Sequence, residues 1–202
     1  MPTAIGLRVH SGWAALVALG GRSSSPGVVD RRRLEMADDA EARQPYHTAE
    51  GRPLKEAAAL LDRYAKRART RAAEGLSAAL DELQGKGCEP RVAVILAASG
   101  RPLPGLEAVL ASHALIHTAD GEHFRDALAA AAETRGLRVQ RIRERELMGA
   151  AQAALGRPGA ELQAALLAWG KPLGPPWTAD QKLGALAAWI ALAGRDSRPR
   201  RR

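Results

Sequence analysis

Three imidazoles and two carboxylates fall close together in SHALIHTADGEH (residues 112–123): His113, His117 and His123 with Asp120 and Glu122. Imidazole is the usual nitrogen ligand for transition metals and the side chain that moves protons near neutral pH. A carboxylate beside it can act as a general base. His113 and His117 are four apart, so on a helix they would share a face. The segment lacks the HExxH pattern, however, and Thr118 reads as the N-cap of a new helix that separates the pair from His123. The expectation is therefore no metal and no cofactor, with His113 and His117 fixing a loop by hydrogen bonds. The alternative is an enzyme of different chemistry, built on His113, His117, Asp120 and Glu122 beside Arg8. Cys88 stands alone, which excludes a disulfide or a cysteine zinc cage within one chain. GGRSSSPG lacks the lysine and the strand-to-helix setting of a phosphate-binding loop.

Cations are the second resource. Arg63, Lys66, Arg67 and Arg71 lie mainly on one side of a long helical stretch, a candidate ridge for phosphates, although a solvated face has the same pattern. Arg198, Arg200, Arg201 and Arg202 end the chain. The formal net charge is +8, and half of it belongs to the segment 195–202, so the body carries only a modest excess. Such a balance permits an anionic partner without requiring one, because counterion release needs clustered cations. No run of about 18 apolar residues is present for a membrane span. With no leader pattern and one cysteine, a cytoplasmic setting is expected.

These groups must be positioned by an α/β framework. AIGLRVHSGWAALVALG (4–20) reads as two apolar strands around a turn at His10-Ser11-Gly12, and GVVDRRRLEMA (27–37) as a third, outer strand. Residues 38–53 read as a crossing loop carrying Tyr46 and His47. From Leu54 to about Gln84 one amphipathic helix is expected, with Leu54, Ala58, Leu61, Ala65, Ala68, Ala72, Leu76, Ala79 and Leu83 on its apolar stripe. RVAVILAASG (91–100) is a buried parallel strand beside the first, 118–135 a helix, and LRVQRIRE (137–144) the last strand. Helices over 146–155, 160–169 and 178–193 follow, with Trp169, Trp177 and Trp189 as packing anchors. A single domain over 1–194 and a disordered basic tail over 195–202 are expected.

This order resembles the RNase H-like superfamily: a five-stranded mixed sheet, antiparallel in its first three strands and then parallel, with helices on both faces and extra C-terminal helices. Within it the chain is most like the RuvC Holliday-junction resolvase group. The likeness is carried by IGLRVHSGWAAL, FRDALAAAAETRGLRVQRIRE, ELMGAAQAALGRPGAELQAALLAW and LGALAAWIAL. The resemblance implies a two-metal phosphodiesterase whose acids stand on the first strand, the fourth strand and the last helix. Those positions match Arg8, Ala97 and Gly184, none of them acidic, with Asp180 one turn before the last. Magnesium needs hard oxygen ligands, so the resemblance implies a pseudoenzyme that binds nucleic acid or a nucleic-acid-processing partner. A protein-interaction or homodimer module is the third reading. Arg8 either opens an anion pocket, helped by Lys182 and Arg125, or forms a salt bridge with Asp180.

Overall fold

The computed structural model describes residues 1–98 and 102–196, so the tail arginines Arg198, Arg200, Arg201 and Arg202 lie outside the described residues. Strands β1 (Pro2–His10), β2 (Trp13–Arg22) and β3 (Ser25–Glu35) form an antiparallel meander. The first turn requires Gly12, whose φ of 83° a side chain would disfavour. After α1 (Ala40–Arg43), α2 (Pro45–Ala49) and α3 (Leu54–Gly85), strand β4 (Glu89–Ala97) pairs parallel to β1. Helices α4 (Leu106–Leu110) and α5 (His113–Thr134) lead to β5 (Arg138–Arg143), parallel to β4. Helices α6 (Leu147–Leu155), α7 (Gly159–Leu173) and α8 (Ala179–Asp196) complete the described chain. The sheet order is β3-β2-β1-β4-β5, the expected mixed architecture, with β1 at its centre.

Strand alternation divides the interior in two. Ile5, Leu7 and Val9 of β1 point into a core closed by α3 and α5, where Leu76, Leu83, Phe124 and Leu128 are buried. Ala4 faces the other way, with Val17, Leu19, Val92 and Val94, into a core closed by α6, α7 and α8. Coverage on both faces explains why β1 and β2 read as continuous apolar runs. The same parity puts Gly6, Arg8 and His10 on the α8 side of the sheet. There Trp189 is 1% exposed, donates its indole N–H to the Ser23 carbonyl at 2.8 Å and packs on Trp169, with ring centroids 4.9 Å apart.

Four expectations change. Residues 38–53 are not an irregular loop: Asp39 caps α1 by accepting the Ala42 N–H at 2.6 Å, and Pro45 opens α2. Thr118 does not start a helix. It lies inside α5, which runs unbroken from His113, and its hydroxyl donates to the Ala114 carbonyl one turn back at 3.0 Å. In the first turns of α3 the buried stripe is Ala57, Leu60, Leu61 and Tyr64, while Leu54 is 48% exposed; α3 packs on α2, and Tyr64 donates to Glu41 of α1 at 3.1 Å. The last helix, expected over 178–193, runs three residues further, to Asp196.

Candidate functional site

At the C-terminal end of β1 the guanidinium of Arg8 is shared by two carboxylates. Its Nε and one terminal nitrogen donate to the two oxygens of Glu144, at 3.1 and 2.9 Å, and the other terminal nitrogen donates to Asp180 in the first turn of α8. His10, two residues along on the same face, shares that Asp180 oxygen at 2.8 Å. The fork-shaped pairing with Glu144 raises the Arg8 pKa. Burial alone would raise Asp180, but hydrogen bonds from His10 and Arg8 outweigh it and hold this carboxyl below its ordinary value. The salt bridge expected between Arg8 and Asp180 is therefore formed, and Glu144 is a partner the sequence reading missed. The proposed helpers do not join it: Arg125 donates instead to the Leu96 carbonyl at 3.0 Å and to Glu122 at 2.9 Å, and Lys182 lies two residues past Asp180 in α8.

A second constellation forms on the opposite face of the sheet, and it is not the set drawn from sequence. A ring nitrogen from each of His47, His113 and His117 lies within 4.8 Å of the other two. His113 and His117 sit one turn apart on α5, their Nε2 atoms 3.1 Å apart. His47 comes from α2, its ring centroid 5.3 Å from that of His113 and 4.4 Å from that of His117. Asp120, one further turn along the same stripe, is only 2% exposed and pairs with His47 Nδ1, while its other oxygen accepts the Tyr46 N–H at 2.7 Å. Burial raises the Asp120 pKa against the pull of these hydrogen bonds. Glu122 turns away because residues two apart on a helix point about 200° apart, and it pairs with Arg125 and Arg141. His123 is also elsewhere: half-buried and edge-on to Tyr46 and Phe124, with its enclosed Nε2 unpartnered among the described residues and its pKa lowered first by burial. Sheet parity separates this cluster from Arg8, so the four-residue site beside Arg8 does not form.

The basic ridge is present on α3 but carries its own anions. Arg67 reaches Asp38 and Asp39, Arg71 reaches Asp38 at 2.6 Å, and Lys66 pairs with Asp62 one turn away at 2.7 Å. Arg63 is exposed.

No protein-family model matches the chain, and no curated protein matches it. Solved structures do. Thermus thermophilus RuvC in complex with a Holliday junction substrate superposes with a TM-score of 0.56 at 12% identity, over 98% of this chain and 97% of that one. A second Thermus thermophilus RuvC structure gives 0.54 at 12% identity, over 96% of both chains. The fold is RNase H-like. Within this RNase H-like sheet, Ala97 ends β4 and Arg8 stands near the end of β1, as the sequence match placed them. Gly184 does not reach the strand ends: it packs against β1 and β2, where a Cβ would meet the Gly6 carbonyl oxygen and Val17. The α8 residue that reaches the end of β1 is Asp180, one turn earlier. Two carboxylates thus converge there, Asp180 and Glu144, and a guanidinium lies between them.

Proposed function

We propose that this RNase H-like chain binds nucleic acid without cleaving it. The observation that carries the reading is the Arg8 guanidinium held between Glu144 and Asp180. It neutralises the two acids that converge at the end of β1 and puts positive charge where paired magnesium ions would need anionic oxygen ligands. A phosphodiester backbone can approach such a surface, but its cleavage has no metal clamp to stabilise the attacking and leaving oxygens. Support for the ligand class comes from the structural likeness to a resolvase solved with its junction substrate, joined to the basic residues of this chain.

The contact residues we assign are the α3 ridge of Arg63, Lys66, Arg67 and Arg71 and, separately, the tail arginines Arg198, Arg200, Arg201 and Arg202, which lie outside the described residues. Exposed ion pairs contribute little to stability, so a phosphate can displace Asp38 from Arg67 and Arg71 at small cost. Mobility shifts with branched, duplex and single-stranded DNA and RNA across a salt series test this. Binding should weaken steeply with salt and fall on charge reversal at Arg63, Arg67 and Arg71. Absence of binding to every substrate at low salt sinks the proposal.

A further inference from the structure

The histidine cluster lies on the other side of the sheet from Arg8. We propose that His47, His113 and His117 form a binding site for a divalent late transition metal, zinc being the natural occupant, with Asp120 orienting His47 from behind.

The ligand set is made by two elements. An i, i+4 pair at the start of α5 presents two rings from successive turns on one face, and α2 brings the third ring across them. Two nitrogens on a tetrahedral ion at ~2.0–2.1 Å lie about 3.3 Å apart. The Nε2 atoms of His113 and His117 already stand 3.1 Å apart, and the third ring offers a nitrogen within 4.8 Å of the other two.

Asp120 is the detail that a chance cluster would lack. It accepts from His47 Nδ1, which fixes the proton on that nitrogen and leaves Nε2 as the lone-pair donor. A buried carboxylate holding a ligand imidazole in this way sets ring orientation and raises its basicity toward a metal. Asp120 is itself held by the Tyr46 N–H, from the residue beside the ligand, so α2 is seated twice on one carboxylate.

Three imidazoles with no thiolate and no first-sphere carboxylate favour zinc, copper, nickel or cobalt over magnesium or calcium, which prefer oxygen. His113 and His117 are exposed and His47 is half-buried, so the fourth position opens to solvent and takes water. A metal there would pin α2, and with it the segment that carries Asp38 and Asp39, against α5.

The test uses full-length protein freed of any histidine tag and stripped with a chelator. Calorimetric titration with zinc should show one ion per chain and a higher melting temperature, and cobalt(II) should give the intense visible bands of a tetrahedral nitrogen site. His113→Ala and His117→Ala change exposed side chains and should fold normally by circular dichroism while losing both signals. His47→Ala should lose them too, His10→Ala should keep them, and Asp120→Asn should weaken affinity about 10–100-fold. Absence of stoichiometric binding, or binding that survives both His113→Ala and His117→Ala, overturns the site.

Discussion

Gly6 of β1 and Gly184 of α8 touch backbone to backbone: a Cβ on Gly6 would overlap the Gly184 carbonyl oxygen and lie 2.8 Å from its carbon and 2.9 Å from the Ala188 nitrogen. Helix α8 therefore crosses the central strand with no side chain between them, and its position delivers Asp180 to the end of β1. Because the opposing atoms are backbone, they cannot rotate away. Gly6→Ala should cost about 3 kcal/mol or more, at the upper end for overpacked cores. Gly184→Ala should be far milder, since its Cβ would meet the Gly6 oxygen at 3.3 Å and Val17 Cγ2 at 3.4 Å. Urea unfolding of the two variants checks the contrast, and equal losses would contradict it.

The Asp180 carboxyl, held below its ordinary value by His10 and Arg8 against the effect of burial, gives a pH dependence of definite sign. An acid whose folded pKa is lowered contributes its full stability above its unfolded value, ~3.9, and loses it as pH falls through the lower folded one. Asp180→Asn should thus cost about 1–3 kcal/mol at pH 7, the range for a charged hydrogen bond. The gap from wild type should close as pH drops below about 4. A gap that is constant down to pH 2.5 would show that the loss is packing and not charge.

How much of this was readable in the chain differs between fold and site. Gly12, the apolar run of β4 and the charged alternation of β3 announced strand order, because a buried central strand and a half-solvated edge leave different local patterns. The grouping of His47 with His113, His117 and Asp120 was missed for two reasons, one local and one not. Reading Thr118 as a cap broke the stripe 113, 117, 120 that a continuous helix would have revealed, although a threonine can bond back to the carbonyl four residues earlier. His47 joins only through the packing of α2 on α5, a contact between segments far apart in sequence that no periodicity encodes. The Arg8–Asp180 bridge was foreseeable from two charges near matching family positions; Glu144 was not, because it enters from the 3₁₀ turn after β5.

Trp189 links the second core to the turn between β2 and β3. Fully enclosed, tilted against the Trp169 ring and bonded to the Ser23 carbonyl, it should cost about 3–5 kcal/mol when cut to alanine. Trp189→Phe keeps most of the ring but removes the indole N–H donor, and should cost about 1 kcal/mol more than the lost volume alone. Thermal melts of both variants measure the difference.

If the α3 ridge contacts phosphate, its own acids compete for the same guanidinium groups. Asp38→Asn removes the carboxylate shared by Arg67 and Arg71 and should lower the dissociation constant for nucleic acid and steepen its salt dependence. Unchanged affinity and slope, with binding intact, would move the contact surface away from this helix.

At the end of β1 the charges stand against metal-dependent cutting. Two-metal hydrolysis needs carboxylate oxygens that hold a pair of cations about 4 Å apart, one on the attacking and one on the leaving oxygen. Here both oxygens of Glu144 and one of Asp180 are engaged by Arg8, and Ala97 offers β4 no ligand atom. A magnesium ion would have to displace a guanidinium bonded three ways and then sit beside its charge. Purified protein with magnesium or manganese should therefore leave junction, duplex and hybrid substrates uncut over hours. Arg8→Ala removes the blocking cation while leaving Glu144 and Asp180 in place, yet two carboxylates on one side still lack the β4 ligand, so this variant should also be inactive. Metal-dependent cutting by the wild type that disappears in both Asp180→Ala and Glu144→Ala would show that Arg8 yields its place to metal when substrate binds.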